Sequence, residues 1–222
     1  TICVPHGNNP EKNAAMRGFG ATLIEHGRDY DEAAAHAQAL VAERGLVLAH
    51  STNDRNVIAG AATLFAEVHE QATELDAIIV AVGGGSQAVG AIVTSAQLRP
   101  GLPVFGVQAS AASAIHDSWH AKQRLTTATA NTFADGLATR ATYDLTWPVL
   151  LEGLTGFVKV DDDALAAAVR MLIRTTHNLA EGAGAAGLAG LVALREQLAG
   201  KTVAVVLSGS NIDTATLRRV LG

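Results

Sequence analysis

Cysteine, aromatic residues and charge are all scarce in this 222-residue chain, and each scarcity removes a class of answer. A single cysteine, Cys3, cannot close an internal disulfide, so a disulfide-stapled secreted scaffold is excluded. Set in an apolar run, Cys3 reads as a buried thiol of a protein in a reducing, cytoplasmic setting. Aromatic residues make up 4% of the chain, and no basic cluster is interleaved with them. With a net charge of −5, that argues against nucleic acid as a partner. No apolar run is long enough to cross a bilayer and no signal-peptide pattern opens the chain, so no membrane association is expected. The chain starts at Thr1, without methionine, inside what reads as a strand, so a fragment of a longer protein is expected.

What is plentiful is small and apolar. The composition is 49% hydrophobic with 22 glycines and 17% charged residues, which suits an α/β core. Strand-like runs at 1–4, 21–24, 46–49, 78–82, 104–108, 157–160 and 202–207 alternate with helical segments. The helices read as 10–19, 30–43, 57–70, 86–98, 111–121, 146–152, 163–181, 183–198 and 213–221, with Asp29 placed to cap the second. Residues 125–140 read as mostly irregular. This alternation predicts βαβ units: an open, mostly parallel sheet with helices on both faces, plus part of a smaller α/β domain. The boundary is expected near residue 52, with 1–52 the remainder of the small domain and 53–222 the large one.

The most informative stretch runs from Asp76 to Gly90. A β-branched strand ends in Gly83, Gly84 and Gly85, and Ser86 and Gln87 open a helix. Strand, glycine turn and helix start leave bare N–H groups aimed at one place, reinforced by the positive end of the helix dipole. Glycine lets an anion come close to the main chain, so the turn reads as a phosphate cradle. Gly83-x-Gly85-x-x-Ala88 also satisfies a relaxed dinucleotide fingerprint, which would make the protein a nicotinamide-dependent oxidoreductase. That reading requires a carboxylate at the end of the next strand, where Gln108 and Ala109 stand instead. A tight strand-to-helix turn with no ligand is the plain alternative.

Other clusters are weaker. Ser208-Gly209-Ser210-Asn211 forms a second polar turn after an apolar strand, and ligands of parallel sheets collect at the carboxyl ends of strands. His116 and His120 share one helix face, but Asp117 replaces the glutamate a zinc peptidase needs and no third ligand follows. Asp161-Asp162-Asp163 reads as an acidic helix start that favours the dipole. Glu181 precedes a small-residue segment that allows close backbone approach. No metal site is expected.

Four ordered motifs then carry a family likeness: Val-Gly-Gly-Gly-Ser-Gln (82–87), Phe-Ala-Asp-Gly-Leu-Ala (133–138), Glu-Gly-Ala-Gly-Ala-Ala (181–186) and Leu-Ser-Gly-Ser-Asn-Ile-Asp (207–213). Together with Val4-Pro5, Lys12, Gly20-Ala21 and Val-Ile-Ala-Gly-Ala-Ala-Thr (57–63), they resemble the threonine/serine dehydratases and serine racemases. Those are pyridoxal-phosphate enzymes of the tryptophan-synthase-β fold type, and the likeness spans the whole chain. It implies that Gly83, Gly84, Gly85, Ser86 and Gln87 bind the cofactor phosphate through backbone N–H groups, and that Ser208 meets the pyridine nitrogen. It also implies that Asp135, Gly136 and Glu181 lie near the pocket. The substrate class would be a small hydroxy amino acid, the reaction β-elimination to a 2-oxo acid and ammonia or else racemisation, and the assembly a homo-oligomer.

The departures are specific. Ser86 stands where the family loop usually has a fourth glycine, and Gly-Ala-Ala-Thr (60–63) where it has Gly-Gln-Gly-Thr. Gln108 and Ala114 occupy positions where some members carry acidic ligands of a divalent cation, so that site is expected to be lost. Gly182 replaces the proline usual after the pocket glutamate. The family's Schiff-base lysine segment, Ser-x-Lys-x-Arg-Gly, and its Gly-Asn-His segment are absent. None of Lys12, Lys122, Lys159 and Lys201 sits in that motif. No catalytic residue is therefore expected in this chain, which would be inactive without the missing N-terminal segment; a noncatalytic remnant is the remaining alternative.

Overall fold

The computed structural model describes residues 1–222 and divides into two compact units: residues 1–49 with 211–220 and 222, and residues 50–210 with 221. The alternation of elements predicts a boundary at 52, with 211–220 in the larger domain. The observed division falls three residues earlier and groups most of the last helix with the first unit.

In the smaller unit, β1 (Ile2–Val4) and β2 (Leu23–Glu25) pair in parallel, with Cys3 opposite Ile24. The crossover is α1 (Pro10–Gly18), whose start is fixed by Asn9 accepting from the N–H of Glu11 (2.9 Å) and by Pro10 in the first turn. Asp29 caps α2 (Tyr30–Arg44), accepting from Glu32 N–H at 3.1 Å, as expected. Gly45 closes that helix in the left-handed region at φ 62°. α9 (Thr214–Leu221) is capped by Asp213 and held to α1 by Glu11, which accepts from the N–H and hydroxyl of Thr214 (3.0 and 2.8 Å). Cys3 is half-buried rather than buried, because the two-stranded sheet does not fully cover it.

The larger unit is built on a four-stranded parallel sheet in the order β5-β4-β3-β6. The strands are β3 (Ala77–Ala81), β4 (Val104–Ala109), β5 (Gly156–Val160) and β6 (Val203–Val205). Every residue of β3 and β4 is buried, as continuous apolar strands covered on both faces must be. α3 (Arg55–Gln71) and α4 (Ser86–Leu98) pack on each other, and Phe65, Ile78, Val80, Val89, Ile115 and Leu150 belong to one core. α5 (Ala114–Ala121), α6 (Trp147–Gly153), α7 (Asp162–Thr176) and α8 (Gly182–Ala193) complete the layers. α8 approaches the sheet closely because its glycines permit it: a β-carbon on Gly190 would collide with Val107, and one on Gly187 would stand 3.0 Å from Val205. No helix is long and apolar enough to cross a membrane.

Three expectations are corrected. Residues 46–49 form no strand: they follow the left-handed cap of α2, Val47 is 96% exposed, and no neighbouring strand offers its hydrogen bonds. The helix expected to reach 181 ends at Thr176. Thr175 and Thr176 turn their hydroxyls back onto the carbonyls of Met171 and Leu172 (both 2.8 Å), and His177 takes φ 57°. The segment 111–121 splits into a short 3-10 turn at 110–112 and α5. Gln108, fully buried at the end of β4, receives the N–H of His116 on Oε1 (2.9 Å) and so caps α5 from within the sheet.

Candidate active site

The cleft follows from strand register. Ile79 of β3 faces Val205 of β6, so the residues three further on, Val82 and Ser208, reach the carboxyl end of the sheet side by side. The glycine turn and the serine turn therefore open at one edge although more than a hundred residues separate them. Gly83, Gly84, Gly85, Ser86, Gln87, Gly136, Glu181 and Ser208 all line one cleft of about 220 Å³, with Thr52, Leu137 and Ala183. Asp135 does not line it. That carboxylate folds back onto its own turn, with Oδ1 accepting from Gly136 N–H at 2.9 Å.

The turn can be built only from glycine. A β-carbon on Gly83 would collide with the carbonyl oxygen of Gly136, and one on Gly84 would stand 2.5 Å from Thr52. Gly85 has φ 100° and serves as N-cap of α4 with no side chain capping the helix. No backbone N–H from Gly83 through Gln87 donates to another group of the chain. A row of unpaired donors at the start of a thirteen-residue helix is what an anion needs. On these observations the turn fits a phosphate.

Elsewhere on the cleft lining, Glu181 stands at the N-cap position of α8 without a side-chain cap bond, and its N–H donates to Gly209 O at 3.1 Å. A β-carbon on Gly209 would stand 3.1 Å from Glu181 Oε1, so the carboxylate lies over the serine turn. A β-carbon on Gly184 would collide with Gly209 O, which places α8 directly against that turn. None of the chain's lysines, Lys12, Lys122, Lys159 and Lys201, lines the cleft, and no arginine does.

Several residues around the turn were not singled out from the sequence. Thr52 is a cleft wall. His50 accepts from the N–H groups of Thr52 (3.0 Å) and Asn53 (2.8 Å) on Nδ1, and burial lowers its pKa against the opposing charge of Asp54. Asn53 Oδ1 accepts from Leu145 N–H (2.9 Å), while Thr139 and Thr146 donate to the carbonyls of Gly83 (3.3 Å) and Gly84 (2.8 Å). The threonines act on main-chain oxygens across separations of 56 and 62 residues, so nothing local in the sequence marks that role.

The other singled-out clusters stand apart from the cleft. The rings of His116 and His120 lie 4.3 Å apart on α5, as their spacing requires, but His116 Nδ1 bonds Asp117 (2.8 Å) and His120 Nε2 bonds Phe157 O (3.1 Å). Asp161 caps α7, and Asp162 accepts from the Thr132 hydroxyl (2.6 Å) and Phe133 N–H (3.2 Å).

Comparison with known proteins agrees with this arrangement. The chain belongs to the pyridoxal-phosphate dependent enzyme family, whose pattern matches residues 1–209. It is 34% identical over its whole length to an L-threonine ammonia-lyase of Geobacter sulfurreducens, of which it covers 55%. It is 37% identical over 99% of its length to the L-threonine dehydratase biosynthetic IlvA of Burkholderia multivorans, of which it covers 44%. The chain thus spans about half the length of these curated relatives. Among solved structures, the processed form of threonine deaminase isoform 2 from Solanum lycopersicum superposes with a TM-score of 0.90 at 29% identity, over 98% of this chain and 60% of that one.

Proposed function

We propose that the complete protein is an amino-acid ammonia-lyase of the threonine/serine dehydratase type, converting a small hydroxy amino acid to a 2-oxo acid and ammonia. The observation that carries this reading is the convergence of the unpaired N–H groups of residues 83–87 and the Ser208 turn in one cleft. When bound there, pyridoxal phosphate supplies an electron sink that allows the α-proton and the β-hydroxyl of an amino acid to leave. The N–H groups of Gly83, Gly84, Gly85, Ser86 and Gln87 would hold its phosphate, helped by the α4 dipole. Ser208, a neutral hydroxyl, would accept or donate at the ring nitrogen without forcing it to carry a proton, which moderates the sink and suits elimination. Gly136 and Glu181 would bound the substrate side.

This chain brings no amine to the cleft, so the lysine this chemistry requires would come from a segment outside the given sequence, together with a further wall. The volume of about 220 Å³ supports this, since complete small-molecule sites span roughly 300–1,000 Å³. A homo-oligomer is proposed as the working assembly. The test is to express the complete protein, titrate it with pyridoxal phosphate, and assay threonine and serine for 2-oxo acid and ammonia. Inversion of the amino acid without 2-oxo acid would replace elimination by racemisation. Binding of a nicotinamide dinucleotide in preference to pyridoxal phosphate would remove the reading.

A further inference from the structure

Two buried threonines stand behind the glycine turn rather than in the cleft. Thr146 is fully buried and Thr139 is 6% exposed, and neither lines the cavity. Thr146 Oγ1 donates to Gly84 O at 2.8 Å, and Thr139 Oγ1 donates to Gly83 O at 3.3 Å. Each bond fixes a peptide plane as well as an oxygen. The carbonyl of Gly83 shares its plane with the N–H of Gly84, and the carbonyl of Gly84 with the N–H of Gly85. The chain has no cis peptide bond, so in each plane the N–H points opposite to the carbonyl. Holding the two oxygens at the back therefore turns two N–H groups towards the front.

Glycine by itself would not keep that orientation, since its backbone visits more conformations than any other residue's. The threonines replace the missing steric restraint with hydrogen bonds. Accepting a bond at the carbonyl also polarises the same peptide and strengthens its N–H as a donor. The segment that delivers Thr146 is itself tied down: Asn53 Oδ1 takes the N–H of Leu145, and His50 Nδ1 takes the N–H groups of Thr52 and Asn53.

We infer that Thr139 and Thr146 are positioning residues that aim the N–H groups of Gly84 and Gly85 at an anionic group, so that they set affinity for the phosphate of the ligand and not for its ring. This rests on the proposed cofactor reading and assigns it two residues outside the cleft. Thr146→Val keeps shape and burial but removes the donor, and Thr146→Ser restores it.

The experiment uses the complete protein and two probes, pyridoxal phosphate and pyridoxal, with dissociation constants measured for each by equilibrium dialysis. Thr146→Val is expected to weaken pyridoxal phosphate on the order of tenfold while pyridoxal changes less than about twofold, and Thr146→Ser to recover the wild-type value. Thr139→Val is expected to show the same selectivity, and decides the matter should Thr146→Val fail to fold. Equal losses for both probes, or no loss for either, would overturn the inference while leaving the cofactor reading intact. A wild-type protein that binds neither probe would overturn the cofactor reading itself.

Discussion

The carbonyl oxygen of Gly136 occupies the space that a β-carbon on Gly83 would need. The short turn at 135–137 and the glycine turn are thus packed main chain against main chain. Gly83→Ala is expected to destabilise the protein by about 1–3 kcal/mol, the usual range for overpacking, because the obstacle is backbone. Gly18→Ala, at the end of α1 in open space, is expected to be neutral or slightly stabilising. Urea unfolding of the two variants measures the contrast.

On the proposed reading Ser208 and the glycine turn would hold different ends of the ligand, and their contributions should separate. Ser208→Ala is expected to leave inorganic phosphate binding unchanged. Affinity for pyridoxal phosphate should fall by about fivefold, the worth of one hydrogen bond. Loss of phosphate binding in this variant, followed by phosphorus NMR, would place Ser208 at the phosphate end.

Three histidines should make the protein acid-sensitive. Burial lowers the pKa of His50, His69 and His116 below 6.5, against Asp54 for His50 and Asp117 for His116, and with help from Arg99 for His69. A histidine whose folded pKa is depressed takes up its proton more readily when unfolded. Full stability is therefore present above pH 6.5 and declines as pH falls through the folded values. For His50 the cause is visible, since protonating Nδ1 breaks both bonds from Thr52 and Asn53. Thermal melts from pH 7.5 to 5 should show the decline, and His50→Asn should reduce its slope.

Asp117 adds to this acid sensitivity at lower pH and for a different reason, a stabilised charge rather than a buried neutral ring. Burial alone would raise its pKa, but Ser113 (2.6 Å), His116 (2.8 Å) and Lys159 (3.2 Å) outweigh that and hold it at about 2. Its contribution is present above pH 3.8 and lost as pH falls towards 2. Solvent screening at this partly exposed site limits the cost of Asp117→Asn to about 1 kcal/mol, or about 2–4 °C in Tm. The same change should lower the pKa of His116 further, because a raising charge is removed, and imidazole NMR titration reads this directly.

Local chemistry made much of this legible in advance. β3, α4 and the glycine turn between them were evident because a β-branched run, three glycines and a helical stretch follow each other without interruption. The Asp29 cap was evident because capping uses neighbours. Residues 46–49 misled for the complementary reason: being apolar and β-prone does not provide a partner strand, and none is there. The pairing of β3 with β6 joins residues 126 apart, so the meeting of the two polar turns follows from the rule that parallel strands gather ligands at their carboxyl ends rather than from any local signal. Thr139 and Thr146 left no trace at all, since their targets are main-chain oxygens and any sequence has those.

The small residues of α8 have a consequence for how this site can change over time. Gly184 meets the carbonyl oxygen of Gly209, an atom that no substitution can trim, a β-carbon on Gly187 would stand 3.0 Å from the carbonyl oxygen of Val206, and Gly190 packs on the Val107 side chain. That wall can neither recede nor swell without parting helix from sheet. Any descendant of this protein that accommodates a larger or smaller ligand must find the room elsewhere along the rim, where Asp135 is exposed beside a Gly136 that is itself pressed against Ala183.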